Sequence, residues 1–358
     1  MMNRRDFLKS LCVSALYGLM PYSLRGLARE SNSSAYQICD VHIHLIGISP
    51  QNGCYVSPNF QQSFVYKLQE LFIGVEKSDS PEKQDKLYVQ KIIQLLESSS
   101  EHKYGILLAL DGVYDSSGRF DRDRTGIYIP NDYLFDVCRR SKKLVPGASI
   151  NPMRADALQE LEKVAESGAK LIKWIPNSQN FDPSNKAFIP FYRRLAEFKI
   201  PVLSHGGREY AVPALNQSCG NPRLLRAVLD EGVKVIVAHC AEGGGDENGP
   251  FFFQFLDMLE EYPNLYGDIS ALTMIHKSPR LRYLLEHSEL FERLYYGSDF
   301  PLQFFPMTSP LYFADRLSVN NAWDIQKIEN VLKRDVETLK MLGIPRECFE
   351  RGLDLVNR

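Results

Sequence analysis

The sequence predicts a (β/α)8 TIM barrel, a single α/β domain with parallel strands that follows an N-terminal signal peptide. Three observations predict it. Eight short apolar runs alternate with eight amphipathic stretches, the order expected of parallel βα units. Eight such units close naturally into a ring. No Gly-x-Gly-x-x-Gly follows an early strand, which argues against an open doubly wound sheet.

The expected strands cover 38–45, 104–110, 144–150, 170–175, 201–205, 233–239, 265–270 and 294–299. Helical periodicity covers 81–97, 132–142, 155–167, 188–198, 222–231, 252–260, 280–287 and 322–342. Gly168 precedes the fourth strand and Gly232 the sixth, where a helix end calls for a left-handed residue. The segments 46–80, 111–131 and 301–321 are long. They follow strands 1, 2 and 8, so in a barrel all three lie on the C-terminal face, where substrate-binding loops gather.

Residues 1–28 read as an address. Asn3-Arg4-Arg5-Asp6-Phe7-Leu8-Lys9 resembles the bacterial twin-arginine export signal, with Asn3 replacing its usual Ser or Thr. The apolar stretch 11–20 is too short to span a bilayer, and Gly26-Leu27-Ala28 offers small residues for cleavage. The resemblance implies passage of a folded protein through the twin-arginine machinery to the periplasm or beyond, with no stable membrane anchor after cleavage. The barrel then occupies 36–358.

Composition narrows the partners. A net charge of -2 gives no basic surface for nucleic acid, and a small-molecule substrate is the better expectation. The 7 cysteines form no Cys-x-x-Cys pair, which removes zinc knuckles and dithiol redox motifs. A disulfide between loop cysteines such as Cys54 and Cys219 is compatible with export. Gly-x-Ser-x-Gly and the Walker lysine loop are both absent. Barrels of this type often form homodimers, although nothing in the sequence marks an interface.

Chemistry concentrates at strand ends. In Asp40-Val41-His42-Ile43-His44, alternation puts Asp40, His42 and His44 on one face, inward, and Val41 and Ile43 on the other. Strand 5 ends on His205, strand 6 on His239 and strand 8 on Asp299. A lone strand-end histidine is usually structural, but four of the 7 histidines share this placement, with an acid to match. Imidazole nitrogen with carboxylate oxygen suits zinc and its first-row neighbours.

The pattern resembles the amidohydrolase superfamily, in particular the branch of metal-dependent hydrolases and nonoxidative decarboxylases similar to aminocarboxymuconate semialdehyde decarboxylase. The matching blocks are 40–45, Ser149-Ile150-Asn151-Pro152, 168–176, 204–207, Ala238-His239-Cys240 and Gly297-Ser298-Asp299-Phe300-Pro301. The resemblance implies His42, His44, His205 and Asp299 as ligands of one divalent ion, zinc first, rather than two. It implies Asp299 also as the base towards water that the metal acidifies, and His239 as a second-metal ligand or an acid/base beside the substrate. Lys173 stays open between a carboxylated lysine bridging two metals and a free lysine that binds an anionic substrate or pairs with an acid. Close relatives commonly read Lys-Leu-His-Pro where this chain has Lys173-Trp174-Ile175-Pro176.

Arg208 is a candidate for gripping a substrate carboxylate, with a surface salt bridge as the alternative. Asn151, Arg154 and Asp111 follow other strands and are candidates for substrate or supporting contacts. Asp40 is expected to orient a ligand histidine. The acidic segment 242–247 reads as a mobile solvated loop. The reaction expected is hydrolysis of an ester, lactone or amide; nonoxidative decarboxylation and a non-catalytic secreted binding barrel are the alternatives.

Overall fold

All eight expected strands form. They are β1 (Ile38–His44), β2 (His102–Leu108), β3 (Leu144–Ala148), β4 (Leu171–Trp174), β5 (Val202–His205), β6 (Val235–Ala238), β7 (Leu265–Asp268) and β8 (Leu294–Tyr295). The computed structural model describes residues 35–76, 78–303 and 305–357, so the expected signal over 1–28 lies outside the described residues. Each strand pairs in parallel with the next in chain order. The ring closes where the β8 segment meets β1. The Val41 N–H donates to Tyr296 O at 3.1 Å, and the Asp299 N–H to His42 O at 2.8 Å.

The barrel interior is filled from nearly every strand. Val41, Leu108, Val145, Leu171, Leu203 and Ile236 meet in one cluster, with Leu355 from the C-terminal segment packed against them. Burying an aliphatic side chain stabilises by roughly 1.5–3 kcal/mol, so this layer is a firm floor beneath the strand ends. The outward-facing Ile43, Ile172, Val202 and Val235 join a larger cluster between strands and helices.

The helices that match the expected helical stretches are α1 (Pro81–Glu97), α2 (Asn131–Cys138), α3 (Ala157–Glu166), α4 (Ile189–Phe198), α5 (Arg226–Asp230), α6 (Phe251–Glu261), α7 (Ser278–Glu286), α8 (Val319–Gln326) and α9 (Val331–Met341). Gly168 and Gly232 adopt φ of 89° and 80°, the left-handed conformation their positions call for. None of the described helices is long and apolar enough to cross a membrane.

Several expectations need correction. The helix expected over 322–342 is two, because the Asn330 side chain accepts the Lys333 N–H at 3.1 Å and starts α9 afresh. Strand β1 does not alternate strictly. Asp40 pairs with Gly105 and Ile43 with Leu107, so three steps on β1 oppose two on β2, a β-bulge. Val41 therefore joins the interior cluster instead of the outer one. The six described cysteines are free thiols, Cys54 and Cys219 included, so no disulfide joins that pair. Segment 242–247 is not an open loop, since Gly245–Asp246 pairs antiparallel with Gly249–Pro250. The long segment after β1 also carries structure: a helix over Phe64–Ile73, and a short strand, Tyr55–Val56, paired with Ile127–Tyr128 from the segment after β2.

Candidate metal centre

Six side chains named from the sequence converge above the apolar floor. His42 and His44 come from β1, Lys173 from β4, His205 from β5, and His239 and Asp299 from just beyond β6 and β8. His42 Nε2 lies 3.2 Å from His44 Nε2 and 3.4 Å from Asp299 Oδ1. His44 Nε2 is 3.2 Å from the same Oδ1, and His239 Nε2 is 3.9 Å from Asp299 Oδ2. One ligand atom each from His42, His239 and Asp299 lie within 4.8 Å of one another. The His205 ring stands 5.3 Å from that of His239, centroid to centroid.

Three imidazoles are oriented in the same way. His42 Nδ1 lies 2.8 Å from Asp268 Oδ2, His205 Nδ1 lies 3.3 Å from Glu209 Oε2, and His239 Nδ1 lies 2.9 Å from Ser270 O. Each partner accepts hydrogen bonds, so the proton sits on Nδ1 and the Nε2 lone pair is left for the centre. The Ser270 hydroxyl touches both His42 Nδ1 (3.0 Å) and His239 Nδ1 (2.8 Å), tying the two rings together through β7.

The electrostatics keep the rings neutral. Burial, then the Lys173 charge, holds His42 well below the ordinary imidazole range. Burial also brings His205 down to about 4, against the pull of Glu209. His239 is likewise lowered by burial and by Lys277. Burial pushes Asp299 upward, but His42 and His44 together outweigh it and hold the carboxyl at about 2, so it is ionised. Burial lowers the Lys173 ammonium to about 8, opposed by Asp299 and Asp268. Its Nζ lies 2.9 Å from His42 Nε2.

This donor set fits a divalent ion. Neutral imidazoles with free lone pairs and one ionised carboxylate form the nitrogen–oxygen set that zinc and similar ions take. His205 Nε2 supports the fit independently. It is buried and has no hydrogen-bond partner, a costly state that a ligated ion would relieve.

The backbone here is forced. His239, Cys240 and Ala241 take successive φ of 56°, 50° and 55°, and Asp299 takes 63°. Non-glycine residues in this region cost of order 1–3 kcal/mol each, and such strain clusters at functional sites. The turn at Asp299 also shortens β8 relative to the expected 294–299.

The other candidates take different places. Arg208 is exposed, and its backbone N–H donates to Gly243 O at 3.0 Å; the surface salt bridge offered as its alternative is not among the described ion pairs. Asn151 is spent on structure, its Nδ2 donating to Gly112 O and Gln179 O, each at 2.9 Å. Arg154 binds Asp156 and, at 3.4 Å, Asp111. Asp40 does hold His42, but through the His42 backbone N–H at 3.0 Å, and it also accepts the Ser298 N–H. The carboxylate on the His42 ring is Asp268, which the sequence reading passed over. It lies inside the expected strand 265–270, two residues before its end, and an acid within a short apolar run was the available signal.

The comparisons bear on this geometry. The family profile described as amidohydrolase matches residues 108–313, more than half of the chain. The chain belongs to the amidohydrolase family. The matched span holds Lys173, His205, His239 and Asp299, while His42 and His44 precede it. Among solved structures, this amidohydrolase is similar to an uncharacterized TIM-barrel protein from Bordetella bronchiseptica, at 14% identity and a TM-score of 0.56, covering 90% of this chain and 99% of the other. It is also similar to a Pseudomonas putida protein provisionally assigned as a 2-pyrone-4,6-dicarboxylic acid hydrolase, at 16% identity and a TM-score of 0.52, covering 90% and 98%. An Acinetobacter baumannii protein with the same provisional assignment, solved with citric acid bound, aligns at 12% identity and a TM-score of 0.53, covering 90% and 100%. At these identities the likeness concerns the fold. A search of curated proteins finds no match.

Proposed function

We propose that this amidohydrolase is a metal-dependent hydrolase that directs water onto the ester, lactone or amide carbon of a small organic molecule. The observation that carries the proposal is the approach of His42 and His44, both from β1, to Asp299 beyond β8, with His239 facing Asp299 and the His205 ring from β5 beside that of His239. His42, His44, His205 and Asp299 would hold one divalent ion, zinc in the first instance, with Lys173 uncarboxylated beside His42. The ion's contribution there is Lewis acidity, which polarises a carbonyl and makes water a competent nucleophile near neutral pH.

The chain's own residues divide the remaining work. Asp299, ionised and buried, takes the proton from the attacking water at Oδ2. His239 Nε2 faces that oxygen and can receive the proton and deliver it to the leaving atom. The water oxygen stays on the substrate carbon, the bond to the leaving oxygen or nitrogen breaks, and the proton ends on the leaving group. The interior layer of Val41, Leu171 and Leu203 closes the site from below against further water.

Feeding the purified protein a panel of lactones, esters and aromatic carboxylates tests the reaction. Acid release from a lactone or ester supports hydrolysis; CO2 release from a carboxylate replaces it with decarboxylation. The same proposal places the enzyme in the periplasm or medium, on the strength of Arg4-Arg5 and the apolar stretch after them. Retention of an Arg4→Lys, Arg5→Lys variant in the cytoplasm would support that location.

A further inference from the structure

The four imidazoles of the centre are not held alike. His42, His205 and His239 each have an acceptor at Nδ1, at 2.8, 3.3 and 2.9 Å. Among the described residues, Nδ1 of His44 has no hydrogen-bond partner. The His44 side chain is 21% exposed, against 0%, 5% and 4% for those of His42, His205 and His239.

What fixes His44 is its backbone. The His44 N–H donates to Phe300 O at 3.0 Å, its carbonyl accepts the Tyr88 hydroxyl at 2.6 Å, and the residue pairs with Leu108 on β2. These contacts set the direction of the Cα–Cβ bond and leave the ring to turn about its own two torsions. The polar contacts of the ring all converge on Nε2, 3.2 Å from His42 Nε2 and 3.2 Å from Asp299 Oδ1.

The hydrogen on that nitrogen sets His44 apart again. His42 carries its proton on Nδ1, towards Asp268, so its Nε2 is an acceptor, as is Asp299 Oδ1. His44 Nε2, placed between two acceptors, therefore carries hydrogen. To offer a lone pair at Nε2, the ring must shift that hydrogen to Nδ1, where no side chain stands ready to receive it. The other three rings already present their Nε2 lone pairs. The side chains whose ligand atoms all lie within 4.8 Å of one another are His42, His239 and Asp299, with His44 outside that set. His42 and His239 owe their places to Asp268 and Ser270, not to His44.

We propose that His44 is the exchangeable member of the ligand set, a ring that swings between the centre and solvent and opens the side through which the ion enters and leaves. This rests on the metal-hydrolase reading of the same site. An acceptor behind a ligating imidazole is worth about 10–100-fold in metal affinity, so the ring that lacks one is the weakest of the four. The buried rings, each tied at Nδ1, have no such freedom.

The test uses the whole protein with zinc alone as the probe, in three forms: unaltered, His44→Ala and His42→Ala. Competition against a chromophoric chelator gives the affinity, with and without free imidazole, and stopped flow gives the rate of uptake. His44→Ala is expected to keep its zinc, with an affinity loss at least about tenfold smaller than that of His42→Ala. Imidazole should restore its affinity, because the vacated position opens to solvent, and should do nothing for the fully buried position of His42→Ala. Uptake by His44→Ala should be faster than by the unaltered protein, since no ring has to move aside. His44→Gln, which keeps a polar side chain, replaces His44→Ala if circular dichroism shows the latter unfolded. Equal affinity losses in the two variants, rescue of neither by imidazole, or uptake by His44→Ala no faster than by the unaltered protein overturns the proposal alone. No zinc uptake by the unaltered protein overturns the metal-hydrolase reading, and the role of His44 with it.

Discussion

The Nδ1 of His42 lies 2.8 Å from Oδ2 of Asp268, and both side chains are fully buried. Asp268 Oδ1 meanwhile accepts the backbone N–H of His239 at 2.8 Å and that of Ser270 at 3.0 Å. One carboxylate from β7 therefore fixes a ring from β1 and the strained turn after β6. Supporting contacts of this kind orient metal ligands and raise their basicity.

Asp268→Asn should accordingly weaken metal binding by about 10–100-fold while the barrel still folds. Competition against a chromophoric chelator measures it. Affinity equal to the unaltered protein would show that His42 needs no such anchor.

Asp299→Asn keeps the shape of the side chain and removes its capacity to take a proton. Turnover should fall by about 10²–10⁴-fold, much more than substrate binding weakens. Steady-state kinetics at matched metal content separate the two, and undiminished kcat would remove Asp299 as the base.

Acid sensitivity should be traceable to a histidine far from the metal centre in sequence role. His102 starts β2, with its Nδ1 2.7 Å from Ser99 Oγ, and burial, with Lys143 and Lys340 adding to it, lowers the imidazole to about 3. The unfolded chain takes up a proton near pH 6.5 and the folded one resists until about 3. This contribution to stability is complete above pH 6.5 and is lost as pH falls towards 3, at up to about 1.4 kcal/mol per pH unit. Denaturant midpoints of metal-free protein at pH 7 and pH 5 should therefore differ less in His102→Gln than in the unaltered chain. Equal pH dependence in the two would refute the assignment.

Asn330 supplies a different test. Its side chain caps α9, and its Nδ2 also donates to Leu95 O at 2.7 Å. Asn330→Ala should cost about 0.5–2 kcal/mol of stability without altering metal content. A shift in the urea midpoint reports it; no shift would mean that the cap contributes nothing.

Strand order and the gathering of strand-end side chains were legible in the sequence for one reason. Each strand is a short apolar run, and a polar residue at the end of such a run in a barrel is held over a common centre, as His205, His239 and Asp299 are. What stayed hidden depends on contacts between distant segments. The bulge in β1 arises from pairing with β2, and no pattern within 38–45 announces it. The break at Asn330 was masked by Lys327-Ile328-Glu329-Asn330, which continues a helical pattern until the cap is seen.

Elemental analysis of purified mature protein, beside a His42→Ala, His44→Ala double variant, tests the metal centre most directly. Expected is one divalent ion per chain in the unaltered protein and none in the variant, with both giving the same far-ultraviolet circular dichroism. An unaltered protein that takes up no ion when zinc is supplied, or a double variant that keeps its ion, would contradict it.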